Sequence, residues 1–150
     1  MIWRNVMKLT LEKQRSGETE ITILYSVMDQ RLQRLVDEIR MIEYPLQCRL
    51  DGAIFTVPAH AVFYMESIDG NTFVYTESKE YESTLSLNAL EDNLSSAGFV
   101  RISKSCVLNL HYLKCVTPLW NARLEACMKN GERLIITRHY AETLKEKLGI

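Results

Sequence analysis

The chain has 150 residues, 47% of them hydrophobic, with 18 Lys and Arg against 19 Asp and Glu. That is enough apolar side chain for a packed domain, which excludes general disorder, and the near-neutral balance argues against a uniformly basic surface. The balance is uneven, however: residues 46–100 carry two basic against eight acidic side chains, and residues 101–150 carry nine against four. Either a localised basic surface or two oppositely charged layers facing each other would produce that split.

Neither end suggests export. The opening residues lack an apolar h-region, and no run approaches the roughly 18 apolar residues of a membrane span, so a cytoplasmic protein is expected. Met7 is as good a start as Met1. Cys48, Cys106, Cys115 and Cys127 form no Cys-x-x-Cys pair and sit in apolar, strand-like runs. They read as buried free thiols in a reducing compartment, not as a disulfide framework or a zinc site.

In chain order, residues 1–45 read as strand, strand, helix. Residues 6–13 alternate, with Leu9 and Leu11 on one face, and residues 20–27 are rich in β-branched side chains. Asp29 is placed to cap a helix whose stripe is Leu32, Leu35, Val36 and Ile39, and Tyr44-Pro45 ends it. A unit of this size has too little core to stand alone, so it must pack on the rest of the chain or on a second copy. Beyond Pro45 short strands succeed one another: 47–50, 53–57, 62–67, 73–76, 81–84, 99–102, 106–109, 114–119, 124–129 and 132–137. Asp51-Gly52 and Asn130-Gly131 are hairpin signals. Helices are expected at 87–94 and 140–148. The architecture is therefore a β-dominated α+β fold, a sandwich or rolled sheet, and not a doubly wound one.

Catalysis has little support. Cys106 lies in the apolar run Cys106-Val107-Leu108, His60, His111 and His139 are isolated, and there is no phosphate loop, metal motif or cofactor site. A two-residue turn at Asn130-Gly131 would put Arg123 opposite Arg138. Two like charges so placed favour an anion between them. A slipped register, or splaying into water, removes that argument. Arg101-Ile102-Ser103-Lys104-Ser105 joins two strands, and its hydroxyls and lysine suit phosphate oxygens or base edges. Asp69-Gly70-Asn71-Thr72 is a turn by composition.

Four segments in order carry a resemblance: Phe63 to Thr72, Phe99 to Asn109, Asn121 to Ala126, and Asn130 to Arg138. Over residues 62–148 the chain resembles the LytTR-type DNA-binding domain of bacterial transcription regulators. The resemblance implies an elongated β-fold with short helices that grips double-stranded DNA through loops, reaching two successive major grooves. Carried over by position, it places Asn71, Thr72 and Lys104 at base edges, Ser103 and Ser105 near phosphates, Arg123 on a phosphate, and Arg138 on a guanine with His139 beside it. Arg101 is expected to be structural, for example paired with Glu66.

Residues 1–45 are too few for a receiver domain, so a stand-alone regulator is implied, with 1–45 a ββα extension for dimerisation or regulation and 46–150 the DNA-binding domain. The implied partners are imperfect DNA repeats, a second copy assembled on them, and a regulatory membrane protein, with no cofactor and no enzymatic activity. The rivals are a non-DNA interaction module using the same basic β-edge on an acidic or membrane-protein partner, and a small hydrolase using Cys106 or His111.

Overall fold

The computed structural model describes residues 7–42 and 44–150. The first element among the described residues is helix α1, Gln30–Ile42. The Asp29 carboxylate accepts from the Leu32 amide at 2.8 Å, the side-chain cap expected of it. The two strands expected before it do not form among the described residues; Val6, where the first would begin, lies outside them. A strand is stabilised by a paired neighbour and a covered face. Here Leu9, Leu11 and Leu24 are 82%, 85% and 93% exposed.

Helix α1 is tied to the rest of the chain. Gln30 Nε2 donates to the Leu148 carbonyl at 2.7 Å, and Arg40 Nη1 donates to the Ser96 carbonyl at 3.2 Å. Glu38 meets His111 at 2.9 Å. Of the apolar stripe, Leu32 is buried, Val36 and Ile39 are partly covered and Leu35 is exposed, while Met41 is inserted in the core.

Among the described residues ten strands come after it: β1 (Pro45–Leu50), β2 (Ala53–Pro58), β3 (Val62–Ile68), β4 (Asn71–Thr76), β5 (Glu80–Ser83), β6 (Phe99–Ser103), β7 (Cys106–Asn109), β8 (Leu113–Pro118), β9 (Leu124–Met128) and β10 (Arg133–Ile136). Helix α2 spans Leu87–Leu94 and α3 spans Arg138–Leu148. Seven strands pair antiparallel in the order β2-β1-β5-β4-β3-β7-β6, and three more in the order β10-β9-β8. The β-dominated fold with short helices expected from the sequence is the one observed.

Two cores explain the strand patterns. One side of the large sheet packs Met65, Val74, Val107 and Phe99 against Leu87, Leu90 and Leu94 of α2 and Met41 of α1. The other side packs Tyr64, Val100, Ile102 and Leu108 against Leu124, Ala126 and Met128 of the small sheet and Ala141 and Leu144 of α3. Strands β3 and β7 are covered on both faces, so Val62–Met65 and Cys106–Leu108 read as unbroken apolar runs. Strand β9 is covered on one face only and alternates.

Asn109, fully buried, fastens the far end of β7: its Nδ2 donates to the Val62 carbonyl at 2.9 Å and its Oδ1 accepts from the His111 amide at 3.0 Å. Not all four thiols are buried as expected. Cys48 and Cys106 are, but Cys115 is exposed and Cys127 half-buried, because both lie on the outer face of the small sheet. No helix among the described residues is long and apolar enough to cross a membrane.

Candidate nucleic-acid interface

Strand direction brings four connections to one end of the molecule. The β3–β4 turn, the β6–β7 turn, the β8–β9 loop and the start of α3 all lie there. Hydrogen bonds stitch them together. The Ser67 amide donates to the Ser105 carbonyl at 2.8 Å, and the Thr137 amide to the Ile102 carbonyl at 2.9 Å.

The first turn is a two-residue hairpin: Asp69 and Gly70 have φ of 51° and 81°, the left-handed pair of a primed turn. Asn71 therefore already belongs to β4, opposite Ile68, and is exposed. Alternation then turns Thr72 inward, beside Ser67 and Ser83 in the register, and leaves it 4% exposed. This corrects the expectation for Thr72, which is withdrawn from the surface.

In the second turn Lys104 and Ser105 are exposed and Ser103 is partly covered. Ser103 Oγ accepts from the Ser105 amide at 3.2 Å. Arg101 holds this turn from behind. Its Nε donates to the Ser103 carbonyl at 2.7 Å, its Nη2 to the Lys104 carbonyl, and its Nη1 to Glu91 at 2.6 Å and Asn88 at 2.9 Å. Arg101 is thus structural, as expected, but its acid is Glu91 on α2; Glu66 instead accepts from the Tyr75 hydroxyl at 3.0 Å.

The third connection, residues 119–123, is closed by the Leu119 amide donating to the Arg123 carbonyl at 2.9 Å. Asn121 and Ala122 both sit at positive φ, 60° and 59°. Left-handed backbone costs a non-glycine residue about 1–2 kcal/mol, so the loop holds its shape against local preference. Trp120, 86% exposed, projects from it. Arg123 Nε donates to the Trp120 carbonyl at 3.3 Å, which leaves the rest of an exposed guanidinium outward. Sequence reasoning misses Trp120; its only signal is a large aromatic between Pro118 and Asn121, next to a loop already marked.

At the fourth, Thr137 precedes α3 without a side-chain cap bond, and Arg138 and His139 are exposed in the first turn. Arg138 does not face Arg123 as the two-residue turn requires. Arg133 pairs with Cys127 and Ile136 with Leu124, one residue out of that register. The cause is the turn itself: only Gly131 has positive φ, 89°, so a three-residue loop replaces the primed pair. The anion-between-arginines argument falls with it.

The electrostatics separate two kinds of basic residue. Arg49, Arg101, Arg133 and Lys145 each have an acidic partner within 4 Å, whereas among the described residues Lys104, Arg123 and Arg138 make no ion pair, as is also true of Lys114 and Lys129 elsewhere. What sets Lys104, Arg123 and Arg138 apart is that they lie together at the loop end. Catalytic candidates do not converge. Cys106 and His111 flank opposite ends of β7, and burial pushes the Cys106 thiol up to about 12. Among the described residues no three His, Cys, Asp or Glu side chains gather to hold a metal.

Residues 52–149 match the sequence pattern of the LytTr DNA-binding domain. The chain is similar to the sensory transduction protein LytT of Bacillus subtilis, 29% identical over 108 residues, which is 72% of this chain and 45% of that protein. It is also similar to the sensory transduction protein LytR of Staphylococcus epidermidis, 23% identical over 97% of this chain and 56% of that one. The chain thus spans about half the length of these curated relatives. Among solved structures it is similar to the LytTr DNA-binding domain of a response regulator from Bacillus cereus, with a TM-score of 0.68 and 26% identity over 72% of this chain and 99% of the other.

Proposed function

The chain belongs to the LytTr DNA-binding domain family, and on that premise we propose that it binds double-stranded DNA in the cytoplasm and regulates transcription, without enzymatic activity, through its loop end. The observation that carries this reading is the gathering there of Lys104, Arg123 and Arg138, none neutralised by a described carboxylate. Cations left unpaired in a protein with a net charge of −1 are suited to phosphates.

In this reading Arg138 takes a guanine edge in bidentate fashion, and Lys104 and Asn71 take neighbouring bases. Ser103, Ser105 and Arg123 hold phosphates, with His139 next to Arg138 in the first turn of α3, whose first amides are donors ready for an anion. Trp120 joins the set as an apolar surface against the sugar-phosphate edge.

Residues 46–150 form the binding unit and 1–45 an extension. Exposed Leu9, Leu11, Ile21, Leu24 and Val27 supply that extension with apolar surface for a second copy bound to the adjoining DNA repeat.

The test is fluorescence anisotropy of a labelled duplex from upstream of its own gene, against random duplex of equal length, across a salt series. Steeply salt-dependent binding to both, tighter to the upstream duplex, supports a regulator that acts on its own promoter. Equal, steep binding supports DNA binding with an operator elsewhere. No binding at low salt overturns the proposal in favour of an acidic or membrane-protein partner. Binding as a monomer on a two-repeat duplex, read from the stoichiometry, removes the second copy.

A further inference from the structure

The four cysteines occupy two environments. Cys48 and Cys106 belong to the cores, where burial pushes their thiols up to about 11 and about 12. Cys115 and Cys127 stand directly opposite each other in the antiparallel β8–β9 ladder. Residues so paired share a face, with Cα atoms about 4.5–5.5 Å apart. That lies within the roughly 4.4–6.8 Å a disulfide spans.

The shared face is the outer one. Leu124, Ala126 and Met128 turn inward along β9, leaving Glu125 and Cys127 outward, and Cys115 is exposed. Arg133 completes the row on β10 as the register partner of Cys127. Its guanidinium is held by Glu125 at 2.7 Å, and its pKa is raised first by that bond and charge and then by both thiols.

We propose that Cys115 and Cys127 are an oxidisable dithiol that closes reversibly into a cross-strand disulfide, with a peroxide as oxidant. The Cys115 thiolate attacks one oxygen of hydrogen peroxide, giving a sulfenic acid and, with a proton, one water. The Cys127 sulfur then attacks the Cys115 sulfur, the S–S bond forms, and the hydroxyl leaves with the Cys127 proton as a second water. Two thiols lose two electrons and two protons, and the peroxide is reduced to two waters. A dithiol reductant reverses the step. The closed ring runs from residue 115 to residue 127 and encloses the 119–123 loop. The inference rests on strand register and stands apart from the DNA-binding proposal.

The experiment treats the native 150-residue chain with hydrogen peroxide, blocks the remaining thiols with iodoacetamide and maps the peptides by mass. The expected result is a linked pair of peptides containing Cys115 and Cys127, two alkylatable thiols lost, and both regained with dithiothreitol. In Cys127→Ser the oxidised Cys115 should persist as a sulfenic acid that dimedone traps. Intermolecular dimers through Cys115 as the main product would overturn the proposal. So would both outer thiols remaining alkylatable after peroxide.

Discussion

Single side chains at the loop end divide by what holds them. Arg138 and Arg123 are both exposed and, among the described residues, without ion pairs, yet only Arg123 is tied back to its own loop, through the Trp120 carbonyl. Arg138→Ala is expected to weaken binding to a specific site by about 1–3 kcal/mol and to narrow the gap to random DNA. Arg123→Ala should weaken both alike and lower the salt slope by about one. Anisotropy titrations of the two variants check this, and equal losses on both duplexes for both variants would contradict the division of roles. Thr72→Val should leave DNA binding unchanged, because its side chain is turned into the sheet. The proposed roles come from motif positions in the sequence, whereas the burial of Thr72 comes only from the structure. Whether a residue after Asp-Gly points in or out depends on the turn being two residues long, and composition alone leaves that open.

At the scale of an element, the β6–β7 turn is shaped by a residue that does not face outward. Arg101 binds two of its carbonyls and anchors them to α2 through Glu91. Glu91→Ala, far from any phosphate, should destabilise the fold by about 1–3 kcal/mol. It should also weaken DNA binding through Lys104 being less well placed. Chemical denaturation and anisotropy on the same sample separate the two effects. In the 119–123 loop, Ala122→Gly relieves a left-handed alanine. It should therefore cost nothing, unlike the usual loss of roughly 0.5–1 kcal/mol for Ala to Gly in regular structure.

Elements themselves are legible where burial writes a pattern. The ten strands and α2 match their apolar runs, and α1 matches Asp29 and its stripe. Residues 7–13 and 20–27 carry strand-forming side chains but pair with no neighbour among the described residues, and propensity does not suffice. The Asn130-Gly131 register escapes the sequence because Asn-Gly serves a three-residue loop as readily as a primed turn once the preceding residue takes part.

Across the whole molecule, two cores share one sheet and α1 contributes to the first. Met41→Ala should lower the stability of a single cooperative transition by about 2–5 kcal/mol, as expected for a cavity in a continuous core. Two separate transitions would contradict that continuity. Stability should also fall on the alkaline side. Burial raises Cys48 and Cys106 above the free-thiol value of 9.0, to about 11 and about 12. The unfolded chain therefore loses those protons first, and stability present below pH 9 drains as pH rises toward 12. Melting curves in that range check it, and Cys106→Ala should flatten the slope.

The charge split along the sequence leaves a localised basic surface and two facing layers equally open, and the topology is what carries Lys104, Arg123 and Arg138 to one end. That localisation is the central claim. Its most direct test is a titration of the 15N-labelled chain with a duplex that it binds, tracked by amide shifts. The account predicts the largest changes at residues 68–71, 103–105, 119–123 and 137–139, with α1 and the His111 end little changed. Shifts concentrated on α1 and around His111 would contradict it.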